Sequence, residues 1–304
     1  MDEAPLRHAY MIITHGNFPI LERQLSFLDS ENADFFIHVD ANVRNFDFEK
    51  YRCIPRFSGV TFVDRLHISW GHYSLTECEL RLLRAAAPGH YDYYHLLSGV
   101  DVPVKTREYI EGYFRRQSGI NYINLERAQI SRRHLDRVRY YYPFQKWNVR
   151  NVFLRRSIRE LTVLAQRLAL VDRTKKAPQG FVFQKATEWF SITDALAQYV
   201  LSKEALIREL FADTFCSDEM FLPSVAMSSP FRDTVPPADP RGKHKNCCRY
   251  IDWERGSPYT FTDADYDELI STGPDYLFAR KFDYAAAPDL VDRLFEHFGA
   301  GPRE

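Results

Sequence analysis

Tyr91-Asp-Tyr-Tyr-His-Leu-Leu-Ser-Gly-Val-Asp-Val-Pro-Val-Lys-Thr106 is the stretch whose reading decides the fold. Its first half, with Tyr93, Tyr94, Leu96 and Leu97, is aromatic and apolar enough to form a β-strand. Ser98-Gly99 ends the run, and the loop beyond carries one acid, Asp101, just before Pro103. Open α/β sheets bind ligands in the crevice at the carboxyl ends of their strands. Asp101 would there contact a ligand's hydroxyls or help hold a metal. Taken alone, the stretch favours a plainer role, a loop acid capping its own turn.

Outward from this strand, strand and helix alternate. His8–Thr14 is a continuous apolar strand closed by His15-Gly16, and Asn17 is placed to cap a helix with Pro19 in its first turn and Leu21, Leu25 and Leu28 inside. Asp34–Asp40 and Val60–Asp64 read as further strands. Ser74-Leu-Thr-Glu77 has the spacing of a capping box opening a helix that faces inward with Leu75, Cys78, Leu82 and Ala86. A helix near 107–116 and a strand over 120–124 continue the pattern, which calls for a parallel or mixed sheet with right-handed crossovers. No glycine-rich dinucleotide loop or phosphate-binding P-loop follows any strand.

The totals exclude more than they assign. At 304 residues and net charge −1, the chain has room for one large domain and no global field for nucleic acid. Five cysteines without CxxC spacing favour neither a disulfide framework nor a zinc site, so a reducing, cytoplasmic setting is expected. The first residues lack a signal-peptide pattern, and no run reaches the ~18 apolar residues of a membrane span.

Residues 127–176 depart from this balance, with 14 Lys and Arg against three acids. Their middle, 151–170, reads as a helix with Phe153, Leu154, Ile158, Leu161, Ala165 and Leu168 on one side. A basic amphipathic helix suits an anionic membrane, at the inner face, or an acidic partner, and equally packing against its own domain with a solvated basic face.

Three constellations have chemistry to offer. Ser217-Asp218-Glu219 sits at a helix start, where acids are favoured by the dipole; one carboxylate would remain to act as a general base. Glu188 beside Trp189 pairs a carboxylate with an aromatic ring, as sugar sites do, although strand alternation sends neighbours to opposite faces. Arg280-Lys281, between Phe278 and Phe282, would clamp a diphosphate. Asp263-Ala-Asp265 is the nearest approach to a metal-holding acid pair, and it reads better as a helix cap.

In order along the chain, Ile12-Ile-Thr-His-Gly16, Phe36-Ile-His-Val-Asp40, Ser69-Trp-Gly71, His95–Thr106, Glu188-Trp-Phe190, Ser217-Asp-Glu219, Ile251-Asp-Trp253 and Phe278-Ala-Arg-Lys-Phe282 resemble the motifs of the branching glycosyltransferases. That family includes core-2/I-branching β-1,6-N-acetylglucosaminyltransferases and peptide O-xylosyltransferases. The resemblance implies a single α/β domain with a GT-A-like, Rossmann-type mixed sheet flanked by helices. Its nucleotide-binding half would be about 8–125 and its acceptor and catalytic half about 126–304.

The resemblance further implies inverting, metal-independent transfer of GlcNAc, or of xylose, from a UDP-sugar to a glycan or protein hydroxyl. By motif match Glu219 is the base. His15, Asp40, Arg280 and Lys281 hold the nucleotide, and Trp70, Asp101, Glu188 and Trp189 line the sugar and acceptor pocket. No cofactor beyond the donor is expected. Glu188 stands where the family has aspartate, and the animal enzymes' anchor, stem and disulfide cysteines are missing from the pattern. A binding protein without turnover on the same scaffold is the alternative.

Overall fold

The computed structural model describes residues 5–146, 152–239 and 244–299. Residues 147–151 of the basic segment and residues 240–243 lie outside them. Among the described residues nine strands form: β1 (His8–Thr14), β2 (Ala33–Val39), β3 (Val60–Phe62), β4 (Tyr93–Ser98), β5 (Val102–Pro103), β6 (Tyr122–Leu125), β7 (Ala186–Thr193), β8 (Arg249–Ile251) and β9 (Phe278–Arg280). Six make one sheet in the order β3-β2-β1-β4-β7-β6, and β5-β9-β8 make a smaller one. Neighbours from β3 to β4 are parallel, while β7 runs antiparallel to both β4 and β6. This is the mixed, helix-flanked sheet expected from the sequence.

Period-two alternation splits each central strand between two cores. Ala9, Met11, Tyr94 and Leu96 face the helix Ser74–Ala86, while Tyr10, Ile12, Tyr93 and Leu97 face the helices Phe18–Phe27 and Arg107–Arg116. Each large side chain so buried contributes roughly 1.5–3 kcal/mol. A third cluster, with Val102, Ala279, Phe282 and Leu290, joins the small sheet to the helix Pro288–Gly299.

The two sheets are pinned by Arg249, a fully buried arginine on β8. Its Nη2 donates to the carbonyls of Leu96 (2.8 Å) and Phe190 (3.1 Å), and its Nη1 to Ser191 Oγ (3.0 Å). Ser191 Oγ also lies 2.8 Å from His95 Nδ1, and His95 Nε2 lies 3.0 Å from His8 Nδ1. Burial lowers the pKa of both histidines, so they serve as neutral hydrogen-bonding rings. Both terminal nitrogens of this buried cation are matched, while Nε has no hydrogen-bond partner among the described residues.

Two expected caps take other forms. Asn17 adopts the left-handed conformation (φ 53°) and spends its side-chain oxygen on the amide of Tyr284 (2.9 Å). Ser74 lies inside its helix, and its Oγ accepts from Ser69 N (3.0 Å), tying down the preceding loop. In both cases a tertiary partner outcompetes the local cap. Asp265 does close a capping box with Thr262, as its sequence suggested.

The parallel order reverses at β1, which has β2 on one side and β4 on the other. Such a switch point opens a crevice at the strands' carboxyl ends. Gly99 makes the close approach there possible: a Cβ would meet Thr14 Oγ1 at 2.5 Å.

Candidate active site

Ser217–Glu219 forms a 3-10 turn beside this crevice. Ser217 Oγ bonds Thr76 Oγ1 (2.7 Å), and Cys216 N donates to Gly71 O (2.9 Å). Gly71 has φ +73°, and a Cβ on it would come within 2.7 Å of the Phe215 ring. Only glycine lets the Ser69-Trp-Gly71 loop lie so close against the turn.

The Glu219 side chain is about one-third exposed. Its Oε2 accepts from Arg137 Nη1 at 2.6 Å and faces Lys185 Nζ at 3.3 Å. Its Oε1 has no hydrogen bond among the described residues. Lys185 also reaches Glu126 Oε2 (3.2 Å), which faces His134 Nδ1 at 3.0 Å. One oxygen of Glu219 is thus fixed and the other is available to a proton.

Arg280 ends β9 with its guanidinium 3.7 Å over the Trp189 ring and Nη1 3.6 Å from Asp101 Oδ1. Asp101 is completely buried and accepts from Ser98 N (2.8 Å) and Ser98 Oγ (3.1 Å). It therefore caps its own turn and braces Arg280 from behind. The Trp189 face offered to a sugar in the sequence reading carries the arginine instead. Lys281 is exposed, and its backbone bonds Tyr259 and Phe261.

Three carboxyls crowd the interior side of this cluster. Burial, then the charge of Asp218, pushes the pKa of Glu188 up, against the pull of Arg280; Glu219 and Asp101 add to the rise. Burial and Glu219 push Asp218 up as well, and Asp218 Oδ1 has no hydrogen-bond partner among the described residues. Glu79 was missed by the sequence reading. It is fully buried on the helix Ser74–Ala86, neither oxygen has a hydrogen-bond partner among the described residues, and burial with Glu188 and Asp218 nearby raises its pKa far above normal. These groups tend to keep their protons, and protonated carboxyls donate hydrogen bonds.

The remaining expected residues surround the crevice. His15 is exposed just past β1. Asp40, just past β2, is buried, with Oδ1 accepting from Asn42 N (2.7 Å) and Oδ2 from Ile68 N (3.1 Å). Trp70 is 70% exposed and meets Phe215 edge-on at 5.6 Å. A cavity of about 340 Å³ lies beyond Glu126, lined also by Asn124, His244, Tyr250 and Trp253. Glu126 on its wall shares Lys185 with Glu219.

A family model described as Core-2/I-Branching enzyme matches residues 8–269, a span that holds the whole six-stranded sheet and the Glu219 turn. The chain belongs to that family. Xylosyltransferase 2 of Homo sapiens is 25% identical over 324 residues, covering 99% of this chain and 35% of that protein. The Canis lupus familiaris protein of the same name is 24% identical over the same shares. Xylosyltransferase 1 of Homo sapiens is 23% identical over 311 residues, 97% of this chain and 30% of its own length. The chain therefore spans about a third of these relatives.

Proposed function

We propose that this member of the Core-2/I-branching family is an inverting glycosyltransferase that uses a UDP-sugar without a metal ion. The observation that carries the reading is Glu219, fixed through one oxygen and open at the other, at the crevice that also holds Arg280. The acceptor's hydroxyl proton goes to Glu219 Oε1 as the acceptor oxygen attacks the anomeric carbon. The bond from that carbon to the diphosphate breaks on the opposite face, and UDP leaves with the electron pair. Arg280, braced by Asp101 and Trp189, and the exposed Lys281 offset its charge. Asp40 and His15 lie on the uridine side. Glu188, inclined to hold its proton, donates to a sugar hydroxyl, and the cavity with Trp253 on its rim receives the acceptor.

The relatives are named xylosyltransferases, which favours xylose over GlcNAc as the donor sugar; the acceptor is a glycan or protein hydroxyl. A hydrolysis and thermal-shift panel of UDP-xylose, UDP-GlcNAc and other UDP-sugars, with UDP as control and with and without EDTA, tests the reading. Turnover of one donor that persists in EDTA is expected. Loss of turnover in EDTA overturns metal independence, and UDP binding with no turnover in any donor–acceptor pair overturns the transferase reading.

A further inference from the structure

The helix Val152–Leu168 is turned inside out relative to an ordinary surface helix. Phe153, Leu161, Leu164 and Leu168 fall within about 80° of one another around the axis, a single stripe at 3.6 residues per turn. Every one of them is exposed, Phe153 by 84% and Leu168 by 79%. Leu170, past the last turn, takes a left-handed conformation (φ 55°) common for glycine there and is likewise exposed.

The side toward the body is mostly polar: Arg159, Thr162 and Gln166 are half-buried there, with Ile158 and Val163 beside them. Gln166 Nε2 donates to Tyr141 O (2.8 Å) and its Oε1 accepts from Tyr141 N (2.7 Å). The Arg159 guanidinium lies 4.9 Å from the Phe215 ring centre, and Arg167 pairs with Asp136 at 2.8 Å. A helix that packs with its polar side leaves an apolar stripe to be covered from outside.

Charge identifies the cover. Residues 127–176 carry net +11 in a chain of net −1, leaving −12 for the rest. Exposed Arg132, Arg133, Lys175 and Lys176 belong to that segment. An apolar stripe set in the basic part of an otherwise acidic molecule matches the interface of an anionic bilayer, with acyl chains beneath and negative headgroups around. Phe215, touched by Arg159 on one side and Trp70 on another, links this face to the Glu219 turn. No helix among the described residues is long and apolar enough to cross a membrane.

We propose that the chain docks peripherally on an anionic phospholipid surface, laying the helix Val152–Leu168 in the interfacial plane. This stands on the exposed stripe and the charge distribution, independently of the transfer reaction.

The test is co-sedimentation of the full chain with vesicles of phosphatidylcholine alone or mixed with phosphatidylserine, at about 0.1 M and about 1 M salt. Binding to the mixed vesicles at low salt, weakened at high salt, is expected. The triple variant Leu161→Glu, Leu164→Glu, Leu168→Glu should lose more than about tenfold in binding while its circular dichroism and thermal unfolding stay unchanged. Lys175→Glu with Lys176→Glu should remove part of the salt-sensitive binding. Wild type left in the supernatant with the mixed vesicles at low salt, or sedimenting equally with both vesicle types, overturns the proposal. So does a triple variant that binds like wild type. Light scattering that shows a dimer broken by the triple variant, with no vesicle binding by wild type, would assign the stripe to a second copy and overturn it too.

Discussion

Arg137 Nη1 lies 2.6 Å from Glu219 Oε2, although 82 residues separate the two in the chain. Lys185 approaches the same oxygen at 3.3 Å. A base that turns freely must be ordered at each turnover; one held by two cations presents its other oxygen already aimed. Arg137→Met should therefore lower kcat by about tenfold with the donor KM nearly unchanged, and Arg137→Lys should recover part of the loss. Steady-state kinetics at saturating acceptor measure this. An unchanged kcat in Arg137→Met would remove the positioning role.

The stacking of Arg280 on Trp189 predicts a different pattern. Arg280→Ala should reduce kcat/KM for the donor by about a hundredfold, because a departing diphosphate loses a preorganised charge. Arg280→Lys should rescue little, since an ammonium cannot lie flat on the ring as a guanidinium does. Full rescue by lysine would show that charge alone matters and that the 3.7 Å stack is incidental.

Glu79 weakens the fold it belongs to. Among the described residues its buried carboxyl has no hydrogen-bond partner for either oxygen, and its pKa is raised chiefly by burial. Above the unfolded-state pKa of about 4.5 the unfolded chain releases this proton while the folded chain retains it, so stability falls as pH rises. Glu79→Leu should gain about 1–3 kcal/mol near neutral pH, with the gain shrinking toward pH 4. Urea unfolding at several pH values reads both; a variant less stable than wild type at pH 8 would contradict the account.

Glu188 carries the same sign into activity. Its raised pKa means that it gives up its proton only as pH rises, and a carboxylate cannot donate a hydrogen bond to a sugar hydroxyl. The pH profile of kcat/KM should fall on its alkaline side, and Glu188→Gln, neutral at every pH, should flatten that limb. An alkaline limb identical in the two proteins would assign it to another group.

Much of the frame was legible because it is local. The run His8–Thr14 forms β1 over the residues its apolar continuity marks, and the Tyr91–Thr106 stretch breaks at Ser98-Gly99 as its turn residues require. Glu79 was legible too, and overlooked: it falls between Leu75 and Leu82-Leu83 at helical spacing, an acid inside an apolar stripe. The anchors of Glu219 were not legible. Arg137, Lys185 and Glu126 look like ordinary surface charges until β6 and β7 pair and bring them to one turn.

Asp101 and Trp189 were named from the sequence for the sugar and acceptor pocket, and what the sequence does not show is that Arg280 contacts both. A helix was expected over 151–170 with its apolar side marked; it forms over Val152–Leu168, and only its packing shows that most of this side faces out.

Glu219 is the group proposed to take the acceptor's proton. The measurement is single-turnover and steady-state transfer by Glu219→Gln with the donor found in the UDP-sugar panel, alongside UDP binding and thermal unfolding as controls. Glutamine keeps the shape and an oxygen for Arg137, so folding and UDP affinity should match wild type while kcat falls by about 10²–10⁴-fold. Transfer at close to the wild-type rate by a folded, UDP-binding Glu219→Gln would contradict the account.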